Sequence, residues 1–505
     1  MTDLIQDLQD SAVIAALDDF SKAAPENAPA AFLTLIAAVW DEGAITPQAA
    51  AALPALIERL AAGNCRVQGN LAILLGLIVE ARNSTADIVK TVRQGLDLYL
   101  ELLASAENDS GLTTAMLYLL GHFPDDRERI LAVANERPLD PDDLTRLDRS
   151  LTSYGQDDDV ITMRLGRVFP SPATWAMTDA ELRENDLVRL GLVPAEKVGV
   201  IAAMETRLLL GYSGAKALWT VEHGEVAPTP PFAGAVEPLP SGTRVHEPAV
   251  LERHLGIMRC TKCRGALRQD ENRATCAGCG FEYLLANRYL NMISVADEPE
   301  DPLTATSHER WLRPAFMHIV GGNWGGEVTF ADENRIMVEQ VRPAAGPILD
   351  LGPGAGITTK TLADAFGVQR LIAVDMSGSM LRRLKRRVPG ALAVRANARS
   401  LPFNDGTLGA VNCWNMLHYF TDKMAALEEI ARCLQPGGSL TIMDFRHAPD
   451  PVSRYFQGKF GEIATRVLFD PDEISEWLTQ AGLTVQELVL PGGNFMVVRA
   501  ARGLG

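Results

Sequence analysis

The chain has no apolar run that reaches the roughly 18 residues needed to span a membrane as a helix. Its first residues, Met1-Thr-Asp-Leu4, carry neither the basic cluster nor the apolar stretch of a secretory leader. Cysteine is sparse and odd in number, seven in all, which fits a reducing compartment better than a disulfide framework. These absences predict a cytoplasmic chain with no membrane partner. Basic charge is also short. Lys and Arg total 47 against 64 Asp and Glu, a formal net charge of −17. The shortfall lies in one half: residues 1–250 hold about 36 acids and 19 bases, while 251–505 hold about 28 of each. An acidic half repels a phosphate backbone, so no nucleic-acid partner is expected. The one dense basic run, Arg382-Arg-Leu-Lys-Arg-Arg387, is read as a solvated face of an outer helix.

What the sequence does contain divides it into modules. At 505 residues, more than one domain is expected, since single cores rarely grow past about 250–300 residues. Residues 1–220 are predicted helical. Ala30–Trp40, Pro47–Ala62, Gln68–Ala81 and Ile88–Leu103 carry apolar residues at i, i+3, i+4 and i+7, and β-branched alternation is scarce. Thr46-Pro47 reads as an N-cap followed by a first-turn proline. Gly111–Phe123, Pro124-Asp-Asp and Arg127–Asn135 read as helix, turn and helix, and Gly69–Val79 with Ile88–Leu103 as an earlier copy. The spacing of about 40 residues resembles HEAT-like repeats, with a generic helical bundle as the alternative. Either would offer a surface for a protein partner. Between 221 and 250, Pro228, Pro230, Pro231, Pro238, Pro240 and Pro248 predict a linker.

In the next stretch, 251–297, Cys260-x-x-Cys263 and Cys276-x-x-Cys279 stand 12 residues apart. Each C-x-x-C can place two thiolates on one face of a tight knuckle, and two knuckles supply the four sulfurs of a tetrahedral Zn2+ site. A redox C-x-x-C would be a single motif beside a thioredoxin-like unit. With the hairpin between the knuckles and Gly280-Phe281 after the last ligand, the pattern resembles a zinc ribbon whose four ligands are all structural. Cys65, Cys413 and Cys433 read as small core residues.

The last third opens with Ile348-Leu-Asp350-Leu-Gly352-Pro-Gly354-Ala-Gly356 and continues to Leu371-Ile-Ala-Val-Asp375. A buried strand, a glycine turn, a helix, a second buried strand and a terminal carboxylate form the nucleotide-binding half of a doubly wound α/β sheet. The spacing is G-x-G-x-G, whereas the dinucleotide fingerprint has its third glycine one place later. Leu401-Pro-Phe403, Gly409–Phe420, a helix over Ala425–Leu434, Gln435-Pro-Gly-Gly438 and Ser439–Phe445 follow in order. Over about 305–505 this series resembles the class I methyltransferases that use S-adenosylmethionine (SAM), of the methyltransferase type 11-like kind that includes quinone-pathway and many small-molecule enzymes. The expected architecture is therefore a helical array, a zinc ribbon and a C-terminal Rossmann-like domain.

The resemblance implies a set of roles. Gly352, Gly354 and Gly356 shape the turn around the methionine end of SAM, and Asp350 orients that turn and reaches the amino group through water. Asp375 holds the ribose and Met376 packs on the adenine. Asn397-Ala398 stands where the family has an acidic residue followed by Ala, so an amide carbonyl replaces a carboxylate opposite the adenine amino group. Gly409 replaces an Asp that opens the fourth strand. The sulfonium makes the methyl carbon electrophilic, and the protein mainly aligns the acceptor and excludes water. His418 and Tyr419 are the candidate catalytic residues, with Asp444 and His447 also expected near the carboxyl ends of the strands. Trp311, Phe316 and Trp324 could cover the substrate. The expected acceptor is a small molecule or a peptide. Two alternatives stand beside it: a ribosomal-RNA guanine methyltransferase, whose ribbon the Cys motifs, Phe281 and Tyr289–Ile293 resemble, and a protein-interaction module with a secondary SAM site.

Overall fold

The computed structural model describes residues 2–108, 110–152, 198–227, 245–293, 313–459 and 468–504. Most of the proline-rich stretch, Trp311, and residues 153–197 of the helical region lie outside the described residues. The chain divides into two compact units, Met1–Thr229 with Ala448–Gly461, and Pro230–His447 with Glu462–Gly505. No described helix is long and apolar enough to cross a membrane.

The first unit is helical: α1 (Thr2–Lys22), α2 (Ala28–Val39), α3 (Ala49–Ala62), α4 (Cys65–Val79), α5 (Ala86–Arg93), α6 (Leu96–Ser105), α7 (Gly111–Leu120), α8 (Arg127–Asn135), α9 (Pro141–Ser150) and α10 (Val198–His223). A two-residue strand pair, β1 (Trp40–Asp41) and β2 (Ala44–Ile45), closes the turn after α2. Helix α4 packs on α7, and α7 on α10. The i, i+3, i+4 pattern becomes a continuous core, and burying each large apolar side chain contributes about 1.5–3 kcal/mol. Three local expectations fail. Ile88–Leu103 is two helices, because the chain breaks at Gln94-Gly95, where the Tyr99 hydroxyl donates to the Val92 carbonyl at 2.8 Å. Thr46 does not cap α3; its hydroxyl donates back to the Ala38 carbonyl at 2.8 Å. Cys65 is exposed at the first position of α4, while Cys413 and Cys433 are buried as expected.

The helix Pro451–Gly458, distant in sequence, belongs to this unit. Val452 and Phe456 join its apolar core. The buried Glu80 carboxylate accepts from the Tyr118 hydroxyl at 2.7 Å and pairs with Lys459 Nζ at 3.0 Å and His122 Nε2 at 3.3 Å. Burial opposes ionisation, but the hydrogen bond and charge of His122 and the charge of Lys459 hold this carboxyl below its ordinary value.

The second unit begins with α11 (Glu247–Leu255) and four short strands, β3 (Leu267–Asp270), β4 (Arg273–Cys276), β5 (Glu282–Ala286) and β6 (Tyr289–Asn291). Helices α12 (Arg313–Val320) and α13 (Phe330–Gln340) follow. Then come β7 (Ile348–Leu351), α14 (Ile357–Phe366), β8 (Leu371–Asp375), α15 (Gly378–Arg387), β9 (Leu392–Arg395), β10 (Leu408–Trp414), α16 (Lys423–Cys433) and β11 (Leu434–Arg446). After β12 (Leu468–Phe469) and α17 (Pro471–Gln480), β13 (Leu483–Val489) and β14 (Phe495–Arg502) end the sheet. The order is β13-β14-β11-β10-β7-β8-β9-β6-β5-β4-β3. Strands β7 to β11 are parallel, and β14 runs antiparallel to β11. This is a Rossmann-like fold. All four residues of β7 and of β9 and all seven of β10 are buried, as strands covered on both faces must be.

The cysteine-bearing hairpin is part of this sheet: β6 pairs in parallel with β9, Leu290 opposite Val394 and Asn291 opposite Arg395. A second tie runs through the basic helix. Lys385 is fully buried. Its Nζ donates to the carbonyls of Pro389 and Ala391 at 2.6 and 2.7 Å and pairs with Glu247 of α11 at 2.8 Å. The reading of Arg382–Arg387 as a wholly solvated face is therefore corrected at Lys385. The helix turns that residue inward, where a carboxylate and two carbonyls complete its three donors.

Candidate functional site

Between Leu351 and Ile357 the chain reverses through three left-handed residues, Gly352 (φ 69°), Gly354 (φ 52°) and Gly356 (φ 87°). Side chains rarely adopt such angles. Space forbids them as well: a Cβ at Gly352 would lie 2.3 Å from Met416 Cγ, and one at Gly356 2.8 Å from Leu384 Cγ. Asp375, the last residue of β8, clasps the turn. Its Oδ2 accepts the Gly354 N–H at 3.1 Å and its Oδ1 accepts the Ser377 N–H at 2.8 Å. Burial pushes this carboxyl up to about 6, against the pull of those N–H groups and that of Met376.

Asp350 lies beneath the turn rather than in the cleft. Its Oδ2 accepts from the Thr358 and Thr359 hydroxyls at 3.0 and 2.6 Å, and its Oδ1 accepts from Asn412 Nδ2 at 2.9 Å. One buried carboxylate thus ties β7 to the first turn of α14 and to β10. Burial raises its proton affinity, and these three donors oppose the rise.

Strand order reverses at β7, with β8 and β9 on one side and β10 and β11 on the other. Such a switch point opens a crevice at the carboxyl ends of the strands. A cleft of about 260 Å³ opens there, lined by Gly352, Gly354, Asp375, Asn415, Met416 and Tyr419 among others. Met376 is half exposed, and its carbonyl accepts from Arg395 Nε at 2.8 Å. Asn397 turns its Oδ1 to the Arg399 N–H at 2.9 Å, and Ala398 is buried beside it. Asp350, Met376, Asn397 and Ala398 are not among the residues lining this cleft.

Of the acid–base candidates, the structure joins two. His418 Nδ1 lies 2.8 Å from Asp444 Oδ1, and Asp444 Oδ2 accepts the Leu417 N–H at 3.0 Å. Both side chains are buried. A carboxylate can only accept, so Nδ1 is the donor and the orientation of the ring is fixed. Tyr419 is exposed at the cleft, its ring centroid 4.1 Å from that of His418. His447 is exposed, and its backbone N–H donates to the Phe469 carbonyl at 3.1 Å. Phe316 lies over His418 at a centroid distance of 6.0 Å, whereas Trp324 is buried edge-on against His318 at 4.6 Å.

Sequence reasoning missed one arm of the site. Arg313 of α12 lines the cleft, and its Nη2 donates to Glu333 Oε2 at 2.6 Å. The same oxygen accepts from Trp414 Nε1 at 3.1 Å. Arg313 precedes the glycine turn by nearly 40 residues, and no motif spacing marks it.

The cysteines form the second cluster. The sulfurs of Cys260, Cys263, Cys276 and Cys279 all lie within 4.8 Å of one another. N–H groups of Lys262 and Gly278 point at the Cys260 and Cys276 sulfurs, both at 3.4 Å. The residue after each knuckle is left-handed, Arg264 (φ 60°) and Gly280 (φ 72°). The Tyr283 hydroxyl lies 3.1 Å from Cys260 Sγ and accepts the Thr261 N–H at 3.1 Å. Four convergent soft donors with N–H support are compatible with a tetrahedral zinc ion.

Comparison with known proteins places this geometry. The family described as methyltransferase domain matches residues 349–442. A demethylmenaquinone methyltransferase of Paenarthrobacter aurescens (strain TC1) is 32% identical over 191 residues, covering 33% of this chain and 75% of that protein. An uncharacterised chloroplastic methyltransferase of Arabidopsis thaliana is 28% identical over 238 residues, 42% of this chain and 65% of that protein. Among solved structures, a SAM-dependent methyltransferase from Aquifex aeolicus aligns with 40% of this chain and 99% of its own, at 19% identity and a TM-score of 0.30. The chain belongs to the SAM-dependent methyltransferases.

The Asp350 network makes a stability prediction. Asp350→Ala leaves Thr358, Thr359 and Asn412 without their shared acceptor and should destabilise the second unit by about 3 kcal/mol. Asp364→Ala, which removes only an exposed pair with Lys360, should change stability by no more than about 0.5 kcal/mol. Thermal unfolding of the two variants compares them directly, and equal shifts would contradict the assignment.

Proposed function

We propose that this enzyme methylates a small molecule or a peptide, with the acceptor activated by His418. The observation that carries the proposal is the His418–Asp444 pair beside the cleft at the strand ends. In the assignment, Gly352, Gly354 and Gly356 shape the SAM turn and Asp375 accepts from the ribose hydroxyls. Met376, Asn397 and Ala398 face the adenine side, and Asp350 acts only by holding the turn. SAM supplies an electrophilic methyl group on a sulfonium. Asp444 holds the His418 ring, and Nε2 takes a proton from the acceptor. Tyr419 and Phe316 bound the space in which the acceptor meets the methyl. A base is useful only for an acceptor still protonated at neutral pH, such as a hydroxyl or an acidic carbon.

The quinone-pathway relative supports a small-molecule acceptor. Charge supports it too. Arg313 is the one basic residue lining the cleft among the described residues. Of the ribbon's basic side chains, Arg259 is buried against Asp405 and Glu429, and Lys262 lies over the Phe281 ring at 3.4 Å. Both are thus engaged within the protein, which weighs against an RNA grip. In the same proposal, the four cysteines hold one structural zinc ion.

Three outcomes test these assignments. Asp375 must be ionised to accept two hydroxyls, and its carboxyl is pushed up to about 6. SAM affinity should therefore hold near pH 7 and fall by about tenfold by pH 5, as the group protonates. Calorimetry across that range measures this, and a flat profile would place the ribose elsewhere. Incubation with methyl-labelled SAM and fractionated lysate should put label into small metabolites or peptides; label entering RNA would overturn the acceptor class. Metal analysis of protein prepared without chelators should find one zinc per chain. Chelation should expose the β3–β5 hairpin to hydrogen exchange, because so small a module has little core of its own. A stoichiometry near zero would refute the zinc assignment.

A further inference from the structure

We infer that the cysteine cluster regulates the cofactor site. Zinc on the four thiolates and the cofactor's adenosine are coupled ligands, joined through the loop between β9 and β10. The inference rests on the zinc and SAM readings above and goes beyond both, because it gives the ribbon a controlling role.

The loop, residues 396–407, carries Asn397 and Ala398, the pair assigned to the adenine side. The ribbon holds it at both ends. At the near end, Arg395 pairs with Asn291 of β6, and its carbonyl accepts the Met292 N–H at 2.9 Å. The Arg395 side chain is buried, and Nε donates to the Met376 carbonyl at 2.8 Å. The next N–H, that of Ala396, donates to the Asp375 carbonyl at 3.2 Å. This corner therefore joins the ribbon's last strand to Asp375 and Met376, the residues assigned to the ribose and the adenine. At the far end, the Arg259 N–H donates to the Pro402 carbonyl at 3.0 Å, and the Asn404 N–H to the Ile257 carbonyl at 2.8 Å. Between them Met258 bridges Phe403. The Arg259 guanidinium adds Asp405 at 3.1 Å and Glu429 at 3.8 Å, and Glu429 also accepts the Leu401 N–H at 2.8 Å.

These two clasps meet at the first knuckle. Ile257–Arg259 runs directly into Cys260, and Met292 follows the strand that leaves the hairpin. The Thr261 hydroxyl donates to the Met292 carbonyl at 3.4 Å. The Tyr283 hydroxyl accepts the Thr261 N–H at 3.1 Å and lies 3.1 Å from Cys260 Sγ. The shape of the knuckle depends in turn on its sulfurs. Cys260 lies 3.7 Å from Cys279, and Cys263 lies 3.3 Å from Cys276. As thiolates these groups repel one another unless a cation lies among them, and as thiols they offer only weak hydrogen bonds. Cys263 and Cys279 are exposed, so the cluster is accessible from solvent. Metal on the cysteines thus sets whether 257–261 and Met292 hold the loop in the shape that meets the adenosine. Coupling of two binding equilibria is reciprocal, so the cofactor tightens the metal site by the same factor.

Calorimetry of the full chain with S-adenosylhomocysteine, before and after removal of zinc by a chelator, reads the coupling. Affinity should fall by about tenfold on removal and recover when zinc is restored. Saturating S-adenosylhomocysteine should raise zinc affinity, measured by competition with the chelator, by the same factor. Arg395→Gln shortens the arm to Met376 and leaves the backbone pairing of β6 with β9 in place. This variant should retain zinc as the wild type does, yet its affinity for S-adenosylhomocysteine should change by less than about twofold when zinc is removed. Affinity independent of zinc in the wild type, or full zinc dependence in Arg395→Gln, would overturn the inference. Loss of the whole thermal unfolding transition on chelation would overturn it too, since the metal would then support the fold at large. A zinc-loaded wild-type chain that binds no S-adenosylhomocysteine would instead refute the SAM reading beneath it.

Discussion

A strand that must reverse into a helix within five residues is the constraint on which the rest of this molecule depends. Three left-handed angles at Gly352, Gly354 and Gly356 make the reversal possible, but backbone freedom alone would leave it floppy. Two carboxylates remove that freedom. Asp350 gathers three donors from below, on β10 and on α14, and Asp375 gathers two N–H groups from above. The turn is thereby locked to the sheet on both sides. Neighbouring features follow from it: Met416 enters the space that a side chain at Gly352 would fill, and the cleft opens where the strand order reverses. Desolvation of Asp375 is the cost of this arrangement, visible in its raised proton affinity.

The cysteine ribbon has a structural consequence for the same site. It extends the central sheet through the β6–β9 pairing, and Met292 N–H donates to the Arg395 carbonyl at 2.9 Å. Arg395 in turn donates to the Met376 carbonyl, one residue past Asp375. The ribbon edge therefore braces the segment assigned to the adenine side. Ion pairs fasten it further, Lys385 with Glu247 of the helix that leads into the ribbon and Arg259 with Glu429 and Asp405. Within the helical unit, Glu80 plays a comparable part by holding Lys459 of the returning segment.

Features set by short-range spacing were legible in the sequence. The glycine turn, the two C-x-x-C knuckles and most helices of the first unit follow from backbone angles and apolar periodicity, which are local properties. Features set by contacts between distant segments were not. Lys385 reads as one more surface charge in a basic run, and only the fold, which brings Glu247 of α11 to its ammonium, reveals its partner. His418 and Asp444 were both legible as candidates, but not as a pair, because their hydrogen bond depends on the register of β10 against β11. Arg313 carried no signal at all, isolated as it is upstream of the motifs.

The central claim is that the clasped turn and the Asp375 carboxylate form the cofactor site. A crystal structure of the full chain with S-adenosylhomocysteine tests it most directly. The account predicts the ligand in the cleft at the β7 switch point, its ribose hydroxyls on Asp375 and its amino-acid end beside Gly352 and Gly354. A ligand bound elsewhere, or one in the cleft whose ribose makes no contact with Asp375, would contradict it.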